Sequence, residues 1–156
     1  MTPRIGQGFD IHPFTDDPAR RLVLGGVELP GPGLGGHSDA DVVAHAICDA
    51  LLGAAGLGDI GSHFPDTDPA LAGADSLDLL AQVVAAVSQD FVIANVDTTV
   101  VLEQPKLAPH RQQMQDRLAK VVGAPVSVKA KRAEALGSLG RREGIACFAV
   151  ALLMDR

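Results

Sequence analysis

Asp39-Ala40-Asp41-Val42-Val43-Ala44-His45-Ala46-Ile47-Cys48-Asp49-Ala50-Leu51-Leu52-Gly53-Ala54-Ala55 is the stretch that decides the architecture. Its apolar residues Val42, Val43, Ala46, Ile47, Ala50, Leu51 and Ala54 recur three and four apart, the repeat of a helix with a buried stripe. Ser38 or Asp39 stands where a side chain caps a first turn. The same helix carries Asp41, His45 and Asp49 at i, i+4 and i+8, a line of acids and one imidazole without Lys or Arg. Such a line is either a solvated face or a set of groups turned toward a site, and His45 alone also reads as a satisfied core histidine.

Outward from this helix the pattern predicts strands and two more helices. Gly6 to His12 has strand character, and Arg21 to Leu29 reads as short strands broken at Gly25-Gly26, together a hairpin-like opening. Pro30-Gly31-Pro32-Gly33-Leu34-Gly35-Gly36 reads as a mobile loop. A second helix spans Ser76 to Val87, with Leu79, Leu80, Val83, Val84 and Val87 on its buried face. A strand follows over Val92 to Leu102, then a helix over Pro109 to Val122, with Pro near its first turn. Val126 to Lys131 alternates, while Ile145 to Met154 is apolar enough for a strand covered on both faces. The expected fold is an α/β (α+β) sandwich of one domain, residues 1–156, with a mixed four-stranded sheet and helices mainly on one face.

Composition bounds the function. A chain of 156 residues, 47% hydrophobic, supports one core, and with no Trp, no Tyr and five Phe that core is aliphatic. A formal charge of −6 without a basic run argues against nucleic acid as a partner. No apolar run has the length of a membrane helix, and Met1-Thr2-Pro3-Arg4 lacks the apolar stretch of a secretory signal, so a cytoplasmic, membrane-free protein is expected. Cys48 and Cys147 lie in apolar runs and read as buried free thiols. A phosphate-rich substrate on so acidic a chain calls for metal ions.

Asp10 and His12 are two apart in an extended segment, so both side chains leave the same face, at metal-ligand spacing. A turn aspartate beside a surface histidine is the competing account. If His45 joins them, a two-His, one-carboxylate set arises that leaves the fourth position of a tetrahedral zinc open, with Asp41 or Asp49 available to orient a ligand. His37 and Ser38 precede the helix, where donors and a helix N-terminus can meet a phosphate; a plain N-cap also accounts for Ser38. In Leu57-Gly58-Asp59-Ile60-Gly61-Ser62-His63-Phe64-Pro65-Asp66-Thr67-Asp68-Pro69, the acids are either turn caps or, with Asp59 or Gly61 on sugar hydroxyls and Phe64 as an apolar wall, part of a site. Gln104-Pro105-Lys106-Leu107 and Lys129-Ala130-Lys131-Arg132-Ala133-Glu134 end predicted strands, where ligand loops commonly sit.

Taken together these residues resemble the 2-C-methyl-D-erythritol 2,4-cyclodiphosphate synthase family. The resemblance is carried by Gly36-His37-Ser38-Asp39-Ala40-Asp41-Val42-Val43-Ala44-His45-Ala46 and Cys48-Asp49-Ala50-Leu51-Leu52-Gly53-Ala54, with Gly8-Phe9-Asp10-Ile11-His12, Gly58-Asp59-Ile60-Gly61, Phe64-Pro65-Asp66-Thr67-Asp68, Gly140-Arg141 and Glu143-Gly144-Ile145-Ala146. It implies a homotrimer around a threefold axis that cyclises a cytidine diphosphate derivative of methylerythritol 2-phosphate with loss of CMP, in non-mevalonate isoprenoid precursor synthesis. Asp10, His12 and His45 match the ligands of Zn2+ or another divalent transition metal, and Glu134 the ligand of Mg2+ or Mn2+. His37 and Ser38 match positions that place the phosphates. Asp59 and Gly61 match positions that hold the methylerythritol unit, and Ile60, Phe64 and Asp66 beside them are expected to bind substrate. Leu102, Lys106, Leu107 and Ala130 match the wall of a cytidine pocket that belongs to the neighbouring subunit. Lys131-Arg132-Ala133 replaces the threonines of many relatives, either supplying charge or facing solvent. Ser138 replaces an aromatic at the threefold cavity, where Phe9 and Arg141 remain. A zinc phosphohydrolase or a zinc-stapled nucleotide binder would use the same three ligands, but neither explains the Gly58 to Gly61 and Pro105-Lys106 blocks.

Overall fold

The computed structural model describes residues 2–156 of the chain. A four-stranded sheet runs in the order β1 (Pro3–Pro13), β6 (Gly144–Asp155), β4 (Phe91–Val101), β5 (Val126–Lys131). β6 is antiparallel to β1 and β4, whereas β4 and β5 are parallel, so the fold is α/β with a mixed sheet. Parallel neighbours need a crossover, and α4 (Arg111–Val122) lies within the one between β4 and β5.

β2 (Leu22–Leu24) and β3 (Val27–Leu29) form a separate hairpin. Its turn residues Gly25 and Gly26 have φ of 58° and 73°, the left-handed pair a two-residue hairpin turn demands. The hairpin-like opening joining β1 to this segment is therefore not what forms. The Gly-Gly turn closes β2 on β3, and β1 pairs instead with β6 from Pro3↔Met154 to Pro13↔Gly144. The loop expected to be mobile is tied down in its second half: Thr15 N–H donates to Gly33 O at 2.9 Å, Gly35 N–H to Pro13 O at 2.8 Å, and Leu34 is buried.

α1 (Val42–Ala55) begins at Asp41, two residues later than Asp39, because the Asp41 carboxylate accepts the N–H groups of Val43 and Ala44. It ends at Gly56, whose φ of 73° is left-handed. The helix packs on β1, β6 and α3 (Ser76–Val87), burying Ile47, Leu51 and Leu52 completely. Removing side chains of this size from water contributes about 2 kcal/mol each. The core is aliphatic, as composition implies, and Cys48 and Cys147 are buried free thiols within it. α2 (Ile60–His63) and α5 (Gly137–Gly140) are single turns. No helix among the described residues is long and apolar enough to cross a membrane.

β6 is not covered on both faces within the single chain. Cys147, Ala149, Ala151 and Leu153 point into the core, while Phe148 and Val150 alternate outward, each 45% exposed. The register places Phe9 opposite Phe148, their rings 5.0 Å apart, and Ile5 and Ile11 also stand exposed on β1.

Candidate metal centre and substrate clefts

Alternation on β1 puts Gly6, Gly8, Asp10 and His12 on one face. The two glycines let the backbone of α1 lie directly against the strand: a Cβ on Gly6 would stand 1.9 Å from Ala50 O, and one on Gly8 1.9 Å from Ala46 O. His45, adjacent to Ala46, is thereby carried onto Asp10. Its Nδ1 lies 3.1 Å from Asp10 Oδ2, and His12 Nε2 lies 3.0 Å from the same oxygen. Among the described residues these three form the one His, Cys, Asp and Glu cluster whose ligand atoms converge, all within 4.8 Å of one another.

The ring of His12 is turned by its outer nitrogen. Nδ1 is 2.8 Å from Gly35 O, and a carbonyl only accepts, so Nδ1 donates and Nε2 faces Asp10. This is the work of the tethered loop. Burial pushes the Asp10 carboxyl upward, but the two imidazoles beside it, those of His12 and His45, together outweigh that and hold the group below its ordinary value. Burial lowers His12, and the hydrogen bond and charge of Asp10, joined by the Gly35 carbonyl, together raise it on balance.

The other two polar residues of α1 have different tasks. Asp41 is fully buried and its carboxylate also accepts Gly25 N–H at 2.9 Å and Gly26 N–H at 2.8 Å, pinning the hairpin turn to the helix. Asp49 accepts Ile60 N–H at 2.7 Å. Neither solvates a helix face nor touches a metal ligand. The group behind His45 is instead Ser76, whose Oγ is 2.8 Å from Nε2.

Beside the cluster opens a cleft of about 440 Å³, lined by His12, His37, Ser38 and His45 and faced by Ile60, Gly61, Phe64 and Asp66. His37 is held at Nε2 by Asp68 O, 2.7 Å away. Asp59 lies outside this lining; its exposed carboxylate caps α2, accepting Ser62 N–H at 2.8 Å.

A second cleft, of about 380 Å³, has an apolar floor from Leu102, Leu107 and Ala130 and five cations around it: Lys106, Arg111, Lys131, Arg132 and Arg142. For a chain of net charge −6 that is a marked local reversal, suited to a phosphorylated ligand with an apolar ring. Arg132 does not simply face solvent: it forms an ion pair with the buried Glu103 at 2.8 Å. Ala133, Glu134 and Arg141 lie outside both linings, Glu134 exposed with φ of 54° and Arg141 paired with Glu143 at 2.7 Å. The two clefts share no lining residue. Ser76, Glu103, Arg111 and Arg142 belong to none of the motifs in the sequence; the one signal at Ser76 is a polar residue opening a helix, which a cap explains equally well.

The sequence matches the YgbB family over residues 3–154. The 2-C-methyl-D-erythritol 2,4-cyclodiphosphate synthase of Symbiobacterium thermophilum is 55% identical over 157 residues, covering 97% of this chain and 99% of its own. Among solved structures, the bifunctional IspDF of Campylobacter jejuni matches with a TM-score of 0.94 at 41% identity, covering 99% of this chain and 43% of that one. The IspF of Plasmodium falciparum in complex with CDP matches with a TM-score of 0.86 at 34% identity, covering 99% of this chain and 97% of its own.

Proposed function

The chain belongs to the YgbB family, and from that we infer that it converts 4-diphosphocytidyl-2-C-methyl-D-erythritol 2-phosphate to 2-C-methyl-D-erythritol 2,4-cyclodiphosphate with release of CMP, a step of the MEP pathway. The observation that carries the reading is the convergence of Asp10, His12 and His45 at the rim of the Phe64 cleft.

These residues fit a divalent metal: one carboxylate oxygen and two imidazole nitrogens, with room for an exchangeable ligand, are the donor set of an open zinc site. Zinc held there, and magnesium or manganese held by Glu134, would polarise the diphosphate and offset its charge. In the reaction an oxygen of the substrate's 2-phosphate bonds to the β-phosphorus, and the bond from that phosphorus to the bridging oxygen breaks, with CMP leaving on its α-phosphate. The nucleophile is already ionised, so alignment and charge complementarity carry the rate rather than a strong base. His37 and Ser38 hold the phosphates near the metal ligands. Ile60, Gly61, Phe64 and Asp66 hold the methylerythritol unit, with Asp59 fixing the turn that presents them. Leu102, Lys106, Leu107 and Ala130 hold cytidine, and Lys131, Arg132 and the backbone at Ala133 face its diphosphate.

The clefts share no residue, and β1 and β6 leave Ile5, Phe9 and Phe148 bare on the outer face. Both features support a homotrimer in which residues 1–156 form one domain, helices cover the inner sheet face, the outer faces meet around a threefold axis, and each site joins the metal cleft of one chain to the nucleotide cleft of the next. A cytoplasmic setting follows from such a substrate. Phosphorus NMR of the products tests the reading: cyclic diphosphate plus CMP, lost in His45→Ala, is expected. A linear phosphate product would instead mark a hydrolase.

A further inference from the structure

His45 is gripped from behind by residues that neither cleft explains. Ser76, the first residue of α3, is fully buried and its Oγ stands 2.8 Å from His45 Nε2. The same hydroxyl donates to Asp39 Oδ1, and the Ser76 backbone N–H donates to Asp39 Oδ2 at 3.1 Å. Asp39 is fixed in turn: its own N–H donates to Ala74 O at 3.0 Å, and its Oδ1 accepts Asp41 N–H at 3.2 Å.

The placement of the protons follows. An ionised carboxylate has none to give, so the one hydroxyl proton of Ser76 goes to Asp39. The Ser76 oxygen then shows His45 only lone pairs, and a contact of 2.8 Å is attractive only if Nε2 carries the ring proton. Ser38 Oγ, 3.2 Å from the same nitrogen, already accepts Ala40 N–H at 3.2 Å and has a second lone pair for a share of that proton. With its proton on Nε2, the ring turns an unprotonated Nδ1 toward Asp10 Oδ2 at 3.1 Å; two lone pairs at that distance repel unless a cation lies between them, so this tautomer is the one the metal-bound centre requires.

We propose that Ser76 and Asp39 are positioning residues of the metal centre, a carboxylate–hydroxyl–imidazole relay that fixes His45 as its Nε2–H tautomer with Nδ1 aimed at the metal. The proposal rests on the assignment of Asp10, His12 and His45 as metal ligands. Its physical content is preorganisation. A free imidazole divides itself between two tautomers and several ring angles, and partners behind a metal-bound histidine remove that freedom and raise its basicity. The relay also links α3, which contributes Leu79 to the Phe64 cleft, to the ligand carried by α1.

The test compares the wild-type chain with Ser76→Ala, Asp39→Ala, Asp39→Asn and His45→Ala. Zinc affinity is read by competition with a chromophoric chelator, and the His45 tautomer by ring 15N NMR of the zinc-loaded protein, assigned from the signals missing in His45→Ala. Expected are an Nε2–H pattern in the wild type, an Nε2–H signal lost to faster solvent exchange together with roughly tenfold weaker zinc binding in Ser76→Ala and Asp39→Ala, and partial rescue in Asp39→Asn, which keeps an acceptor oxygen. Unchanged affinity and Nε2–H signal in the alanine variants, with zinc still bound by the wild type, would overturn the relay and leave the metal centre standing. Zinc affinity unaffected by His45→Ala would overturn the ligand assignment itself. If an alanine variant does not fold, the wild-type ring spectrum decides alone, since an Nδ1–H pattern excludes the proposed arrangement.

Discussion

Arg132 and Glu103 are clamped together at the edge of the cationic cleft, with Arg132 Nε 2.9 Å and Nη2 2.8 Å from the same carboxylate oxygen. The other Glu103 oxygen accepts Ala135 N–H at 3.3 Å, so one buried carboxylate stitches the end of β4 to the turn that carries Glu134. The guanidinium beside Glu103 holds its carboxyl below the ordinary range. Truncating Arg132 strips this carboxylate of its cation and leaves it backbone donors alone. Arg132→Ala is expected to weaken CDP binding about tenfold, the effect of losing one charge-assisted contact, and to raise hydrogen exchange at Ala135. Arg132→Lys restores charge without the planar fork and should recover only part of the loss. Unchanged exchange at Ala135 in Arg132→Ala would show that the pair does not order the turn.

Gly8→Ala tests whether close backbone approach builds the metal centre. The added Cβ would meet Ala46 O at 1.9 Å and Ala50 N at 2.8 Å, and both are helix backbone, which cannot swing aside. α1 must lift, carrying His45 from Asp10. Stability should fall by about 2–3 kcal/mol, read by urea denaturation, and zinc recovered with the purified protein should drop far below that of the wild type. Full zinc occupancy in a folded Gly8→Ala chain would mean that strand and helix adjust independently of the ligands.

Asp41 carries a different load. It is 0% exposed and accepts four backbone N–H groups, two from the hairpin turn and two from the first turn of α1. Asp41→Ala buries donors without acceptors and should cost about 3 kcal/mol or more. Asp41→Asn keeps one acceptor oxygen and should fall between. A loss under about 1 kcal/mol in Asp41→Ala, the scale of an ordinary exposed cap, would mean that water reaches those donors.

Some of this was legible beforehand and some was not, for physical reasons. Asp10 and His12 declare themselves because strand alternation fixes two residues on one face, and His45 because a helix repeat isolates it on an apolar surface. The Asp41–His45–Asp49 line was equally visible, yet its meaning was not: spacing shows that three residues share a face but not what packs against it. The hairpin turn that claims Asp41 and the Ile60 N–H that claims Asp49 are long-range partners. Ser76 stayed hidden for the same reason, since its contacts to Asp39 and His45 span more than thirty residues. The pairing of β1 with β6, the two ends of the chain, has no local signature either.

The metal-free centre also sets a pH dependence. Asp10 is lowered in the folded chain, so its contribution to stability is present above the ordinary value of 3.8 and is lost as pH falls through the folded value. His12 is raised, so its contribution is full below the ordinary 6.5 and is lost as pH rises through the folded value. Melting temperature of the metal-free protein, compared with that of His12→Gln at constant ionic strength, should show a wild-type advantage that shrinks on the alkaline side. Zinc acts in the opposite sense, because the proton on His12 must leave before the metal binds, so the zinc-induced rise in Tm should grow with pH across the same range. A zinc effect independent of pH would remove His12 from the ligand set.

The separation of the two clefts makes the strongest demand on the assembly. If each site joins the metal cleft of one chain to the nucleotide cleft of its neighbour, two inactive variants damaged in different clefts will rescue each other. His45→Ala removes a metal ligand and leaves the Leu107 cleft intact; Lys106→Glu reverses a charge in that cleft and leaves the metal ligands intact. Co-refolding the two in equal amounts should assemble trimers in which about a quarter of the sites have both halves sound, as random head-to-tail pairing requires. CMP release should therefore return to about a quarter of the wild-type rate, while either variant alone, or the two mixed without subunit exchange, stays inactive. Phe148→Glu adds the control, because it places a charge on the outer face of β6 without touching either cleft. It should yield folded single chains by light scattering, able to bind zinc and unable to turn over. Recovery of activity in such single chains would show that both halves of a site can meet within one protomer.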